Sequence, residues 1–463
     1  MANATLKTLP WILVLAVASI TAQSPTIEIR GTGEHAVVSG ETPDVATQLA
    51  FAGALDDAIR TAVTGLQARA DVKALELKPA QLEAYATALL DVETAPSPAT
   101  AAARNVVRVQ VRARLDAEGA ARRMAGLRKD QDATYEVVAA SSRIQQLQRQ
   151  LADQTRRRAT VAQAEAVTLA AEQLRGVTAM RVAQLAGRAY VALARTEPTT
   201  VGGRATAAGG REQASQLAAA ALALAPDSPD AHYLMGDVWL ESERLQEAEA
   251  EYRRALQANA DDAAGRTKLA AALRLQGTLP EALSELREAQ RLDPTFARAH
   301  SDLGMILRAQ RNLPEAMAAY REAIRLDPDS TDAHNGLAVT FANSAKLEEA
   351  VAEFREIIRI DPDSTIGYYN LAYALADLDR DVESAAALRE VIRINPDHYN
   401  ARFNLGELFR LEGKYDDSAN QFREYLRLAP DTPQNQRNIT RAAGYVRQFE
   451  DPDAPAVAPA MRR

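Results

Sequence analysis

Helix-ending positions recur along this chain at one interval of 34 residues: Pro226, Ala260, Pro294, Pro328, Pro362, Pro396 and Pro430. A spacing that strict means a repeat array, in which each unit buries its apolar face against its neighbours. Aligned on this mark, the units are 229–262, 263–296, 297–330, 331–364, 365–398 and 399–432. Position seven of each is Met235, Leu269, Leu303, Leu337, Leu371 or Leu405. Position eight is always glycine or alanine, small enough for another helix to approach closely.

The second half of each unit has its own stripe. Position twenty is Ala248, Ala282, Ala316, Ala350, Ser384 or Ser418, and position twenty-four is Tyr252, Leu286, Tyr320, Phe354, Leu388 or Phe422. Small and large residues four apart share one face of a helix. Polar breaks such as Gln276-Gly277-Thr278 and Glu412-Gly413-Lys414 separate the halves. Pro280 and Pro314 follow where a second helix would begin and a missing N–H costs little. Each unit therefore reads as a helical hairpin.

This pattern resembles the tetratricopeptide repeat family, whose small residue at eight, alanine at twenty, aromatic at twenty-four and proline at thirty-two stand here as Gly304, Ala316, Tyr320 and Pro328. The resemblance implies a right-handed α-solenoid. Residues 180–228 read as a divergent first unit, with Ala183, Ala186, Gly187 and Tyr190 in its first helix, Arg211–Ala225 as its second, and Thr196–Gly210 as an inserted loop. Residues 433–449 read as a capping helix carrying Ile439, Tyr445 and Val446, and 450–463 as a disordered tail.

At the other end, Lys7, the apolar run Trp11–Ala18 and the small residues before Gln23 have the form of a secretory signal cleaved near Ala22. The run is too short for a membrane span, so no stable span is expected after cleavage. With no cysteine in the chain there is no lipoprotein acylation site, disulfide framework or thiol nucleophile. A periplasmic or secreted location follows as an expectation.

Residues 23–115 read as a small α+β domain: an alternating Thr26–Arg30, a helical Asp44–Leu66, a second helix near Pro79–Leu90, and an alternating Val107–Leu115. In the last strand the valines would face the core and Arg108, Arg112 and Arg114 would face outward. Such a row could bind an acidic partner or an anionic polymer, or be a solvated face that discourages aggregation. The order of these elements resembles the N-terminal domain of flagellar assembly protein T and related envelope lipoproteins. That likeness implies an envelope module and carries no flagellar role. Residues 116–179 lack proline and read as long connecting helices, broken near Arg156-Arg157-Arg158 or Gly176; Ile144, Leu147 and Leu151 share a face, but the heptad does not persist, which favours long helices that could pack as a hairpin over an extended coiled coil.

Catalytic signatures are missing: there is no phosphate loop, nucleophile elbow or paired-histidine metalloprotease helix. His232, His300 and His334 share position four of their units, but equivalent positions in stacked units lie about 10 Å apart, too far for one metal. No enzyme activity, metal or cofactor is expected. A net charge of −8 over 463 residues argues against nucleic acid.

The family resemblance implies a concave groove formed by the first helices. Carried over by position, it gives Tyr233, Asp237, Asn335, Tyr369, Asn370, Tyr373, Phe403, Asn404 and Glu407 as partner-binding candidates. Asn370 and Asn404 would hydrogen-bond an extended backbone, and the tyrosines would anchor it. Phe403 and Tyr369 read equally well as residues buried between units. The lysines of the family's carboxylate clamp are absent. The expected function is an exported protein-binding scaffold; the alternative is an accessory subunit for an envelope polysaccharide, whose sugars aromatic rows would also suit.

Overall fold

A computed structural model describes residues 26–37, 43–92, 97–99, 106–158, 163–194 and 203–450. The signal-like segment, residues 195–202 and the tail from 451 lie outside the described residues. The chain divides into two compact units, Met1–Asp261 and Asp262–Arg463. The division falls one repeat into the array.

In the first unit, β1 (Thr26–Ala36) pairs antiparallel with β4 (Val106–Asp116), while β2 (Asp91–Val92) and β3 (Ser97–Ala99) pair with the other side of β4. Alternation in β4 buries Val109, Val111, Ala113 and Leu115. Helix α1 (Pro43–Gln67) lies on that face and comes so close that a Cβ at Gly33 would overlap the Ala50 carbonyl. The glycines of β1 therefore set how near the helix sits.

The short α2 (Ala70–Lys73) and α3 (Pro79–Leu89) precede α4 (Ala117–Lys129), α5 (Gln131–Arg158) and α6 (Gln163–Leu193). The chain breaks at Asp130 and ends α5 at Arg158 as expected, but α6 runs unbroken through Gly176. That glycine is instead a close-packing residue: a Cβ there would stand 3.1 Å from Leu151. Gln173 donates to Thr155 at 3.0 Å, so α5 and α6 form an antiparallel hairpin within one chain.

The long helices are not a separate connector. Tyr85 of α3 meets Thr134 of α5 at 3.0 Å, Gln145 donates to Glu83 at 2.7 Å, and Arg188 of α6 reaches Asp91 at 2.6 Å. One apolar core runs from Ile29 through Leu147 and Met180 to Val238, so the sheet, α3 and the hairpin fold as one body. The expected inserted loop is also shorter than read. Helix α7 (Gly203–Leu224) already contains Gly209 and Gly210, and a Cβ at Gly210 would overlap the Ala192 carbonyl of α6. Gly210 thus serves helix contact instead of a turn, while Gly209 faces open space. The first repeat, α8 (Pro229–Glu241) and α9 (Leu245–Ala258), completes the unit.

The second unit stacks five further hairpins: α10 (Ala263–Gln276) with α11 (Leu279–Leu292), α12 (Ala297–Ala309) with α13 (Leu313–Leu326), α14 (Thr331–Asn343) with α15 (Leu347–Ile360), α16 (Thr365–Asp377) with α17 (Asp381–Ile394), and α18 (Tyr399–Leu411) with α19 (Tyr415–Leu428). Helix α20 (Gln436–Glu450) closes the end, seating Tyr445 against Phe422.

Two devices recur along the array. Positions eight and twenty-four are matched in size in five of the six repeats, the exception being Ala338 with Phe354. Gly236, Gly304 and Gly406 face Tyr252, Tyr320 and Phe422, where a Cβ would press into the ring. Alanine stands at eight where leucine stands at twenty-four, as with Ala270 and Leu286, both buried. The reversal is also constant: its fifteenth position has a left-handed backbone at Glu243, Gly277, Arg311, Ala345, Asp379 and Gly413. The following amide then returns to a carbonyl five residues back, as in Asn312 to Leu307 at 2.9 Å, which satisfies the end of the first helix.

Candidate functional site

In the second unit α10 touches α12 and α12 touches α14, and side-chain hydrogen bonds continue this inner layer of first helices from α14 to α16 and from α16 to α18. A ligand lying along that layer meets residues at positions two, five, six and nine.

Helix α16 departs most from a merely structural helix. One face buries Leu371, Ala372 and Leu375. The other presents Ile366, Tyr369, Asn370 and Tyr373 at i, i+3, i+4 and i+7, with Ile366 63% and Tyr373 49% exposed. A helical stripe of that spacing normally faces a partner. The Tyr369 and Tyr373 rings meet edge to face at 5.0 Å, and their hydroxyls lie 3.1 Å apart. Asn404 of α18 donates to the Tyr373 hydroxyl at 3.0 Å and to that of Tyr369 at 3.3 Å. On the other side, Asn370 donates to Asn335 of α14 at 3.0 Å. Amides and phenols thus form a continuous band across α14, α16 and α18.

Sequence reasoning missed two members. Ile366 lies at position two, and His398 lies in the cap column, where Ser228, Asp262, Ser330 and Ser364 accept an amide at the start of their helices. His398 does the same through Nδ1, which accepts from Ala401 at 3.1 Å, while its ring lies 4.7 Å from that of Tyr369. A histidine where four of the other five units have a serine or aspartate cap was the available signal. Burial pulls the His398 ring below the usual histidine range. Burial, then the adjacent Tyr373 hydroxyl, pushes the Tyr369 phenol well above its ordinary value. The band is therefore uncharged near neutral pH: it offers hydrogen bonds and apolar surface, which suits a main chain better than an ion.

Four expected groove residues are used internally. Phe403 is 6% exposed, packed on Phe422 and Tyr425 beneath the Arg441 guanidinium, so the buried reading is the right one for it. Glu407 is held by Arg410 and by Arg441 of α20, each at 3.1 Å. In the first unit, Tyr233 is buried, and Asp237 accepts from Tyr190 at 2.6 Å and Tyr252 at 2.7 Å, fastening the first repeat to α6. The structure brings Asn335, Tyr369, Asn370, Tyr373 and Asn404 together and withdraws the rest.

The histidines of position four are structural clips. His334 Nδ1 meets Glu353 at 2.6 Å and its Nε2 meets the Pro328 carbonyl at 3.2 Å; His232 bridges Glu251 and Pro226 likewise. Among the described residues no cluster of histidine, aspartate and glutamate is arranged to hold a metal, and no helix is long and apolar enough to cross a membrane. Of the outward arginines, Arg108 pairs with Glu34, while Arg112 and Arg114 stand exposed on the same sheet face.

The tetratricopeptide repeat family matches residues 204–264, 248–297, 267–331, 301–365, 336–396 and 369–433. Nothing among curated proteins matches. Among solved structures, YrrB, described as a tetratricopeptide protein with an unusual peptide-binding site, is 18% identical over 41% of this chain and 97% of its own, with a TM-score of 0.35. Pseudomonas aeruginosa pilF is 19% identical over 50% of this chain and 99% of its own, at 0.41. A thermophilic tetratricopeptide protein of Thermus thermophilus is 24% identical over 38% and 96%, at 0.34. Superpositions this partial add no argument of their own. The family matches begin at residue 204, and the likeness to flagellar assembly protein T is not among what these comparisons show. Six overlapping matches from 204 to 433, over hairpins that repeat every 34 residues with small and large columns, make this chain a tetratricopeptide repeat protein, a scaffold for protein–protein interaction.

Proposed function

We propose that this is an exported, non-enzymatic scaffold that holds extended, uncharged segments of partner proteins against the inner layer of its second unit. The observation that carries the reading is the outward stripe of α16, with Ile366 and Tyr373 exposed and asparagine amides on both sides. Main-chain groups of a strand would take over the hydrogen bonds that these amides now make to phenols and to each other, and Ile366 and Tyr373 would cover apolar side chains. The signal-like start of the chain supports passage to the periplasm or beyond, with a mature terminus near Gln23.

A photo-reactive phenylalanine analogue placed at Tyr373 in the full chain tests this. It should capture a partner segment, and Asn370→Ala or Asn404→Ala should abolish capture. The same probe at the exposed Val382, on the second helix of that repeat, should capture nothing. Equal capture at both positions, or none at Tyr373, overturns the reading. The exposed Tyr373 ring would also admit a sugar, the other occupant of interest as an envelope polysaccharide. A glycan retained by the parent and lost in Tyr373→Ala, without peptide capture, would move the assignment to that class.

A further inference from the structure

The sheet of the first unit has an exposed face whose charges are unevenly paired. Across β1 and β4 the outward residues form successive rungs: Glu28 opposite Arg114, Arg30 opposite Arg112, Thr32 opposite Gln110, and Glu34 opposite Arg108. The first and last rungs join opposite charges, and Arg108 reaches Glu34 at 2.5 Å. Opposite charges stabilise a cross-strand pair, and like charges destabilise it. Arg30 and Arg112 break that rule, since they are exposed, directly opposed, and without a partner among the described residues.

We propose that the Arg30–Arg112 rung is a docking site for a single carboxylate carried by a partner polypeptide. Facing residues on paired strands lie about 5 Å apart, so two guanidiniums can converge on one carboxylate and each give charge-assisted hydrogen bonds. The neighbouring Thr32–Gln110 rung adds uncharged hydrogen-bonding groups beside it. Glu28, about 7 Å along the strand, and Glu34 beyond Thr32 place negative charge on both sides. A polymer with a charge on every unit would meet those carboxylates, whereas one isolated acidic side chain would not. Asp57 of α1 also accepts the Thr32 amide at 3.0 Å, which takes up one of the edge amides that an added strand beside this rung would need. The partner therefore meets the face through its side chains.

The test uses the full-length chain and fluorescence anisotropy with a labelled short valine–threonine peptide bearing one central glutamate. The same peptide with glutamine, and inorganic polyphosphate as competitor, serve as comparisons. The glutamate peptide should bind at least about tenfold more tightly than the glutamine one. Arg30→Gln and Arg112→Gln should each bring it to the glutamine level. Both substitutions are on the surface, and unchanged helical circular dichroism confirms folding. Polyphosphate should compete poorly in the parent and well in a Glu28→Gln, Glu34→Gln variant. Equal affinity for the two peptides, binding insensitive to both arginine changes, or strong competition by polyphosphate in the parent each overturns the proposal.

Discussion

The two units are built on opposite plans. In the first, β1 and β4 pair although some ninety residues of sequence separate Thr26 from its partner Asp116, and the core collects side chains from Ile29 to Val238. In the second, each hairpin packs on the next, and the apolar cluster from Leu307 to Phe409 is a chain of neighbour contacts. A body closed by distant contacts fails as a whole, whereas a stack fails near the damage. The repeats gain tolerance to change at the expense of cooperativity.

The largest effect expected from this contrast is Gly33→Val. Its branched side chain has no room against the Ala50 and Ala54 backbone, so the first unit should lose about 4 kcal/mol or more and unfold. Hydrogen exchange should show protection lost from β1 through α8 together. Loss confined to β1 would break the contrast. Leu337→Ala, at 2% exposure, should cost about 2–5 kcal/mol, with exchange rising in α14 and its neighbours while α20 keeps its protection. A uniform loss across 262–450 would instead show that the stack is as cooperative as the first unit.

Tyr190→Phe sharpens the comparison at a polar joint. Burial, then the Asp237 carboxylate, hold the Tyr190 phenol well above its usual range, so it stays a donor to Asp237 at any working pH. Removing it should cost about 1–3 kcal/mol, as loss of a buried partner does, seen as a lower melting temperature of the first unit. An unchanged melt would mean that the first repeat is held by packing alone.

The smallest effect is titration of the clips in the second unit. Burial would pull the His334 ring down, but its bonds to Glu353 and the Pro328 carbonyl, with the Glu353 and Glu356 charges, outweigh it and leave the ring above the usual range. A raised value in the folded state stabilises fully below the unfolded value of about 6.5 and less as pH climbs through the folded one. His398, lowered by burial, acts oppositely and loses stability as pH falls below about 6.5. Melting across this range should therefore show a maximum in the parent, and His334→Gln should leave only the acid-side loss. A His334→Gln profile that still falls on the alkaline side of neutrality would dismiss the clip.

The repeats were legible because a local rule written six times exposes itself as columns. The hairpin boundaries, the matched pairs at eight and twenty-four and the turns all follow from that. What escaped the sequence depends on distant contacts. Nothing near Gly176 or Gly210 says that these glycines admit another helix instead of a turn, because Leu151 and Ala192 are far off in sequence. The groove residues divide in the same way. Asn335, Tyr369, Asn370 and Tyr373 belong to repeats flanked by similar repeats, and their side chains come together with Asn404 of the last repeat, which donates to the Tyr373 hydroxyl. Asp237 and Phe403 lie in the first and last repeats, where α6 and α20 cover positions that are open elsewhere. The pattern contains no term for an end.

The constant reversal at position fifteen bears on how such a chain can change length. Four of its six left-handed positions are not glycine, so the turn geometry survives sequence drift. It does not survive a shift of phase. One residue inserted into a reversal would turn the second helix by about 100°, moving its buried stripe toward water, while a whole unit added or removed leaves every turn intact. Lineages of this array should therefore lengthen and shorten in steps of 34 residues, with small insertions confined to stretches such as 195–202 that stand outside the phase.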